Sequence, residues 1–502
     1  MRSYIAILAL LSFFNGVPAN VPDCPGPFNP PNNISTQVVY PVSGNPATFP
    51  TDYNCVYQIN VPQGWSSYVV VTAIPSSNTT NSTILQVIDF NQKVENFQYA
   101  NNETFYFVAP GGRIKLSTQS TTVSFQFSVQ WFSMPHGFGN SLFQISDIAV
   151  YQPTFVNVSA SDSQASTVDA YYINCHVTAE TRVSAITIYS DSTYDRADQL
   201  KNLRSVLIFD GPNENSTCLG SAYQLFKSNR QFVSTAKTLT IVQLRPNPYT
   251  WGSQLLIQDF ENTKEIGEYR GVGGQDTRSI VMDASKQASA FSTYSYIGSS
   301  SDCLFNITGT GKLDVYNGGK SESKSNLIAS YSDSSNGVNL PQKIRGVVRT
   351  YVLTGGIATV QIGVNNGCSL LTTNVAGFIS SRGYKTDLAF RYPDDWQWFF
   401  SNGPFNYTLN VQTVDLSKNE SLQLRIASNK TDVLNVVYNS SNPPMLNTVL
   451  SGVGNEMDVI YLAVNPKTKG FYIDFTATKV EKSAVKTYGF IMICAIIWVG
   501  LF

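Results

Sequence analysis

The chain has 502 residues, enough for roughly three or four domains of ordinary size, so a single small fold is excluded. Charged residues make up 13% and hydrophobic residues 42%, a composition that excludes a disordered chain. The 33 basic and 34 acidic residues form no long run of one sign, which argues against a nucleic-acid partner. The two histidines, His136 and His176, are too few for a typical zinc site or catalytic relay, so we predict a non-enzymatic protein without a cofactor.

The N-terminus has the form of a secretory signal. Arg2 precedes an apolar run that ends at Phe14, and small residues follow at Val17 and Ala19. This order predicts a signal peptide over residues 1–19 and therefore a secreted, extracellular protein.

The cysteines are consistent with an extracellular protein, because disulfides form and persist outside the cell. Six cysteines precede an apolar C-terminal tail, and Cys494 lies within the tail. Six cysteines leave many connectivities open, but they fall into well-separated pairs, so one bridge per domain is the simplest assignment. The expected disulfides are Cys24–Cys55, Cys175–Cys218 and Cys303–Cys368.

Asn-X-Ser/Thr sequons are spread along the chain, and each marks a surface position where N-glycosylation is expected in a secreted protein. Glycans also explain the low charge, because they supply solubility. The sequon residues are Asn33, Asn78, Asn81, Asn102, Asn157, Asn215, Asn306, Asn406, Asn419, Asn429 and Asn439.

Strand-forming segments run through the chain, whereas sustained helical periodicity is confined to the two termini. SYVVVTAI (67–74), TVSFQFSVQWF (122–132) and SLQLRIAS (421–428) are rich in β-branched and aromatic residues and are bounded by turn residues. We therefore predict an all-β fold.

A strand-turn-strand pattern recurs along the chain, with starts at Leu85, Val206, Leu313 and Leu434. Each copy is followed by an aromatic or β-branched hairpin, which predicts about four tandem antiparallel β-sandwich domains. If the copies are equivalent, Leu85, Leu207, Leu313 and Leu434 should each lie in a separate core. The predicted domains are residues 20–133, 134–262, 263–380 and the cysteine-free 381–478.

Several segments resemble a known family. VLIFDGPNENSTCLG (206–220) resembles the strand and turn of CUB domains. The DCPGPF, YNCVYQINVPQGW, FYFVAPGG and SFQFSVQW segments, within about residues 24–133, resemble the CUB-like domain of nematode secreted and glycosylphosphatidylinositol (GPI)-anchored proteins. The resemblance implies tandem CUB-like domains and a setting in epithelial surface defence, since many family members are associated with intestinal pathogen response.

The resemblance also raises the question of calcium, because some CUB domains bind it through a glutamate and aspartates at one end of the sandwich. Asp191, Asp195 and Asp198 form an acidic cluster, but Arg196 lies within it, so we interpret it as a solvated loop. Asp210 is expected to cap the backbone of its own turn. No metal site is predicted.

The segment RYPDDWQWFF (391–400) has the most unusual local composition. On a strand, Trp396 and Trp398 share one face, where they either pack in the core of the fourth domain or form an exposed platform for a sugar ring or an apolar partner. Core packing is the more common use of such a pair. Asp394 and Asp395 should point to opposite faces, so they are not expected to act as a paired acid and base.

The C-terminal segment Tyr488–Phe502 is uncharged and no basic residue follows it. As a helix it spans roughly 22 Å, less than the roughly 30 Å of a hydrocarbon core. A removable GPI-anchor signal over residues 479–502 fits best, with Ser483 as the attachment residue and Thr476–Thr478 as an alternative. A short membrane-spanning anchor and a soluble secreted protein are the other interpretations.

We therefore predict a glycosylated protein on the extracellular face of the plasma membrane, held through a C-terminal anchor. It is expected to bind an extracellular protein or a glycan, or to shield the surface, in innate immune defence. A structural component of a surface coat or matrix is one alternative. A glycan hydrolase is the other, because a mechanism with two carboxylates needs no histidine.

Overall fold

A computed structural model describes residues 23–32, 36–42, 45–77, 82–134, 143–150, 154–157, 172–188, 200–244, 254–273, 277–294, 301–332, 339–364, 368–386, 394–465 and 468–481. It is 61% strand and 5% helix, so the all-β prediction is confirmed. The expected signal peptide, the C-terminal tail with Ser483, His136 and the cluster of Asp191, Asp195 and Asp198 lie outside the described residues.

The first unit is a sandwich of two sheets. One sheet has the order β1-β9-β4-β7 with β2 beside β9, and the other has the order β3-β8-β5-β6. Along β9, Phe125, Phe127 and Val129 are buried in the core and alternate with half-buried residues, as expected for a strand that covers a core with one face. The strands are β1 (Val38–Tyr40), β2 (Ala47–Phe49), β3 (Asn54–Asn60), β4 (Trp65–Pro75), β5 (Leu85–Ile88), β6 (Val94–Phe97), β7 (Ala100–Val108), β8 (Gly111–Ser117) and β9 (Val123–Ser133).

The second unit has the same strand order, except that β10 is added and one strand, β11, takes the place of β1 and β2. Its sheets are β10-β12-β17-β14-β15 and β11-β18-β13-β16, and the added strand β10 runs parallel to β12. The strands are β10 (Phe143–Val150), β11 (Thr154–Asn157), β12 (Tyr172–Ala179), β13 (Val183–Ile188), β14 (Val206–Asp210), β15 (Thr217–Ser221), β16 (Phe232–Val233), β17 (Thr238–Gln243) and β18 (Gln254–Asp259).

Short helices interrupt this unit, and the sequence did not predict them. Two are 3₁₀-helices, Lys201–Ser205 and Phe260–Asn262, and the third is α1 (Ala222–Ser228). A capping box starts α1: the Gln224 amide donates to the Ser221 hydroxyl, and the Ser221 amide donates to the Gln224 side chain. A seven-residue helix shows too little periodicity to stand out in a strand-rich chain.

The third unit repeats the order of the second strand for strand. Its sheets are β19-β21-β26-β23-β24 and β20-β27-β22-β25, and β19 again runs parallel to β21. The strands are β19 (Ile266–Val272), β20 (Arg278–Asp283), β21 (Ala288–Tyr294), β22 (Asp302–Gly309), β23 (Lys312–Asn317), β24 (Leu327–Tyr331), β25 (Gln342–Ile344), β26 (Val348–Thr354) and β27 (Ile357–Val364).

The fourth unit is built differently, from one sheet that folds over itself. The order is β29-β34-β30-β33-β31-β32, with β28 beside β30. Pairing between β30 and β33 shifts between Phe400 and Phe405, and such a bulge lets a strand turn a corner. As a result, Phe399 before the bulge contacts Phe475 of β34 across the core, with ring centres 5.5 Å apart. The strands are β28 (Leu370–Leu371), β29 (Val375–Ser380), β30 (Asp395–Val414), β31 (Ser421–Ser428), β32 (Thr431–Asn439), β33 (Thr448–Leu462) and β34 (Phe471–Lys479).

The predicted boundary at residue 381 differs from the sheet pairing. Both β28 and β29 precede residue 381, yet β28 pairs with β30 and β29 pairs with β34. The fourth sheet therefore begins at Leu370. Its partner strands lie far along the chain, so no local pattern in the sequence marks this boundary.

The four aligned leucines show where the repeat is real. Leu85 and Leu313 are buried in separate cores, as predicted. Leu207 is buried between the first and second units, whereas its neighbour Val206 lies in the second core. A shift of one residue turns a strand side chain to the opposite face, so the alignment was off by one there. Leu434 is only half-buried on β32, which has no counterpart in the other units.

Two of the three predicted disulfides are present, Cys24–Cys55 and Cys303–Cys368. The predicted Cys175–Cys218 bridge is wrong. Two strands, β17 and β14, lie between β12 and β15, which places the cysteines roughly 14 Å apart, whereas a disulfide needs Cα atoms within roughly 7 Å. They also face opposite sides of the sheet, Cys175 toward the second core and Cys218 toward the first unit. Burial raises the pKa of Cys218 to about 12.

Candidate binding face

Trp396 and Trp398 lie on the outer surface of the fourth unit, 66% and 44% exposed. The interpretation that favoured core packing is therefore wrong, and the exposed platform is what the structure contains. The residues between and after them, Gln397 and Phe399, are the buried ones. Gln397 fits inside because its side-chain amide donates to the Ser380 carbonyl at 2.8 Å.

The two exposed rings and the half-buried ring of Phe400 form a row along β30. Trp396, Trp398 and Phe400 are two residues apart, which places successive side chains roughly 7 Å apart on one face. Trp398 and Phe400 stack with ring centres 4.5 Å apart and planes inclined by 25°. We call these three residues the aromatic row.

A chain of hydrogen bonds runs from the aromatic row across the neighbouring strands. The Trp396 indole Nε1–H donates to Asp458 Oδ1 on β33 at 3.3 Å. Asp458 Oδ2 accepts from Arg425 Nη1 on β31 at 2.7 Å, and Arg425 Nε donates to Asp432 Oδ1 on β32 at 2.6 Å. Asn435 completes the chain by donating to Asp432 Oδ2 at 2.8 Å. These contacts hold one ring of the row in a fixed orientation.

The charged groups that these hydrogen bonds connect stabilise one another. Hydrogen bonds to Asp432 and Asp458 raise the pKa of Arg425, and the hydrogen bond from Arg425 lowers the pKa of Asp432. Both groups therefore stay ionised at neutral pH. The result is an apolar row of rings with charged and amide groups at its side, which suits a ring that has apolar faces and a polar rim.

Arg425 and Asp458 were not singled out from the sequence. Each lies between apolar residues of a strand, Arg425 in LQLRIAS and Asp458 in EMDVIYL. A charged residue at an outward position of a strand is ordinary, so only the three-dimensional pairing with Trp396 shows that they belong to this surface.

Asp394 and Asp395 take separate roles, as the alternation predicted. Asp395 is buried in an ion pair with Arg345, and it also accepts a hydrogen bond from the Arg382 amide at 3.0 Å. Asp394 is exposed and accepts from the Ala463 amide at 2.8 Å. They do not form an acid and base pair.

Asp210 does not cap its own turn, which corrects that prediction. Its Oδ1 accepts from the Thr235 amide, 2.8 Å away on a neighbouring loop. Asn213 serves the turn instead, because its side-chain oxygen accepts from the Asn215 amide at 3.0 Å. In the described part of the chain, no three His, Cys, Asp or Glu residues lie close enough together to hold a metal ion.

The sequon residues with described side chains are all exposed. Asn157 lies in β11, and Asn33, Asn78 and Asn81 lie outside the described residues. The exposed ones are Asn102, Asn215, Asn306, Asn406, Asn419, Asn429 and Asn439.

Comparison with known families identifies part of the chain. Residues 19–135 match the family described as a CUB-like domain. Residues 157–244 and 261–365 match two families of domains of unknown function, DUF7592 and DUF7591. A search among curated proteins finds no match.

Solved structures that match this chain include the CUB1-EGF-CUB2 domains of human MASP-1/3 and rat MASP-1. The human protein is 14% identical, covers 44% of this chain and 98% of its own, and has a TM-score of 0.16. The rat protein is 12% identical, covers 47% and 99%, and has a TM-score of 0.18.

None of the helices in the described ranges has the length and apolarity that a bilayer crossing requires. The family match, together with the two disulfides, indicates an extracellular protein. Residues 19–135 of this all-β chain thus match the CUB-like domain family, whose domains are commonly extracellular binding modules.

Proposed function

We propose that the chain is a non-enzymatic, glycosylated cell-surface protein that binds a saccharide on the aromatic row of its fourth unit. The observation that carries the proposal is the exposure of Trp396 and Trp398 beside polar groups that are already fixed in place. The CUB-like first unit supports the extracellular setting.

The chemistry of the face favours a saccharide over an apolar protein segment. The rings offer apolar contact, but Asp458 accepts a hydrogen bond from Trp396, and Arg425 and Asp432 extend the line of charges away from the row. These charges would be costly to bury under an apolar partner that covered them. A sugar ring can stack its C–H face on an indole and exchange hydrogen bonds at its rim. Because the polar groups hold one another, little side-chain order has to be gained on binding.

The biological setting that we propose is defence of an epithelial surface. Its support is the resemblance of the first unit to nematode CUB-like proteins, together with sequons that are exposed on several units. A protein of this kind would bind or mask saccharides at the cell surface.

The proposed attachment is a GPI anchor near Ser483. Its support is the short uncharged tail that follows the last strand. Phosphatidylinositol-specific phospholipase should release the protein from the membrane fraction. Retention, with the peptide 488–502 still present by mass spectrometry, would show a spanning anchor instead.

The binding proposal is tested on an array of glycans and microbial surfaces with the full secreted chain. Replacing both rings, Trp396→Ala with Trp398→Ala, should weaken binding by about tenfold or more, because an aromatic contact contributes about 0.5–1.5 kcal/mol beyond its buried area. Tyr99→Ala removes an exposed aromatic ring of the first unit and is the matched control. Its binding should equal that of the wild type.

Other results on the same array would contradict the proposal. Equal retention of the double variant and the wild type would remove the aromatic row as the binding site. Release of cleaved glycan would favour the hydrolase alternative. Concentration-dependent assembly without glycan retention would favour a component of a surface coat.

A further inference from the structure

Strand β32 is a free edge of the fourth sheet. It ends the strand order and, within the described residues, pairs with β31 alone. Its nine residues contain no proline, lysine or arginine, and Asp432 is the one charged residue among them. Val433 and Val437 are 52% and 48% exposed on it. Such an edge, rich in β-branched residues and low in charge, is a template for pairing with another strand.

The opposite edge of the same sheet is closed by the third unit. The Phe378 amide of β29 donates to Gln342 Oε1 at 3.1 Å, and Gln342 Nε2 donates to the Phe378 carbonyl at 2.7 Å. Both bonds are buried. Nothing comparable covers β32 in the described part of the chain.

Sequons lie at both ends of β32. Asn429 is the first residue of the two-residue turn that precedes the strand, with φ of 50°, and Asn439 is the last residue of the strand. Both are exposed. The strand spans roughly 30 Å, so glycans on these residues would stand at the two ends of the free edge.

We propose that N-glycans on Asn429 and Asn439 keep β32 from pairing with β32 of a second copy of this chain. The inference rests on the extracellular route in the proposed function, because N-glycans are added on that route. It is independent of the aromatic row.

The partner that the glycans exclude is a second molecule of this protein, because the edge of β32 can pair with itself. Antiparallel pairing about a two-fold axis at Asn435 places Val433 opposite Val437 and Asp432 opposite Tyr438. The valines then form cross-strand pairs, and the two aspartates do not face each other. Bulky glycans at both ends of the paired strands would clash in this arrangement.

The test compares two pairs of sequon changes in the full chain secreted from a eukaryotic host. Asn429→Gly with Asn439→Gln removes the two sequons at the edge. Asn419→Gly with Asn406→Gln removes two sequons of the same unit away from the edge, and Asn419 also has a positive φ of 70°, so the backbone effects are matched. Sedimentation velocity over a concentration series gives the mass of each variant.

The edge variant should form a dimer as concentration rises, whereas the control variant and the wild type should stay monomeric. Adding Val437→Lys to the edge variant should restore the monomer, because a lysine on the edge opposes pairing. The proposal is overturned if the edge variant stays monomeric, or if its dimer survives Val437→Lys.

Mass spectrometry of the wild type separates this proposal from the proposed function. Unmodified Asn429 and Asn439 in a chain that carries glycans elsewhere would refute the edge protection alone. A chain without any glycan would refute the glycoprotein itself.

Discussion

Lys343 is an amine held where the third and fourth units meet. Its ammonium lies 5.7 Å from the centre of the Phe399 ring and 3.5 Å from the Ser369 hydroxyl. Burial and, to a smaller extent, the charge of Arg345 lower the pKa of Lys343 to about 8, against the opposing effect of Asp395. The folded protein therefore holds a charge at neutral pH in a place that disfavours it.

The pKa of Lys343 predicts a pH-dependent stability. Between pH 8 and its ordinary value of 10.5, the unfolded chain binds a proton that the folded chain has lost, so stability rises with pH in this window. Lys343→Met removes the free-energy cost of holding this charge in a buried place. The variant should therefore be more stable than the wild type at pH 7, by at most about 3 kcal/mol. Urea unfolding should show that the difference shrinks toward pH 10.

Lys418→Met is the control for this measurement, because Lys418 is exposed in a loop. It should not reproduce the gain in stability of Lys343→Met at pH 7, because it removes no buried charge. A Lys343→Met variant that is less stable than the wild type at pH 7, or a difference that stays constant with pH, would show that the amine is not destabilised by burial.

At the scale of the element, β14 packs in two ways: one face lies in the core of the second unit, and the other face contacts the first unit. Ile208 lies in the core of the second unit, and its neighbour Leu207 lies in the cluster between the first and second units. Both are almost fully buried. Adjacent residues of a strand thus serve the core of a unit and its contact with the next unit.

These neighbours form a matched pair of changes, because they are isomers on the same strand. Each change to alanine should cost about 2–5 kcal/mol. Ile208→Ala should lower hydrogen-exchange protection in β12 and β17, whereas Leu207→Ala should lower it where β7 contacts the second unit. The same protection pattern in both variants would contradict the separation of core and contact.

The sequence predicted the strand-rich fold class and the repeat. It did not predict which face of a strand points into a core, and the reason is physical. The segments at Leu85, Val206 and Leu313 occupy equivalent places, since β5, β14 and β23 have the same neighbours in their sheets. Period-two alternation marks such strands, but it does not say which face is the inner one. For that reason Leu207 and Trp396 were assigned to the wrong surroundings.

At the scale of the whole molecule, buried charges join neighbouring units. Arg204 of the second unit forms ion pairs with Glu95 and Glu103 of the first, and its guanidinium lies 4.4 Å from the centre of the Phe105 ring. Burial raises the pKa of Glu95 even though Arg204 opposes the shift. Arg204 therefore stabilises the contact between the two units by neutralising these carboxylates.

Arg204→Met should loosen the first unit from the second. It leaves Glu95 without its ion-pair partner, whereas Glu103 keeps its ion pair with Lys201. Breaking a buried pair in this way costs about 3–5 kcal/mol. Thermal unfolding should change from one shared transition of the two units to separate ones. Arg230→Met, at an exposed position, should leave the transition unchanged. An unaltered melting profile of Arg204→Met would show that the ion pairs do not join the units.

The central claim is that a saccharide binds on the aromatic row. ¹⁹F NMR of the full chain labelled with 5-fluorotryptophan tests it directly, with resonances assigned by single Trp→Phe changes. A saccharide retained on the array should shift the resonances of Trp396 and Trp398 and leave that of Trp131, which is buried in the first core, unchanged. A saccharide that binds while the resonances of Trp396 and Trp398 stay in place would contradict the claim.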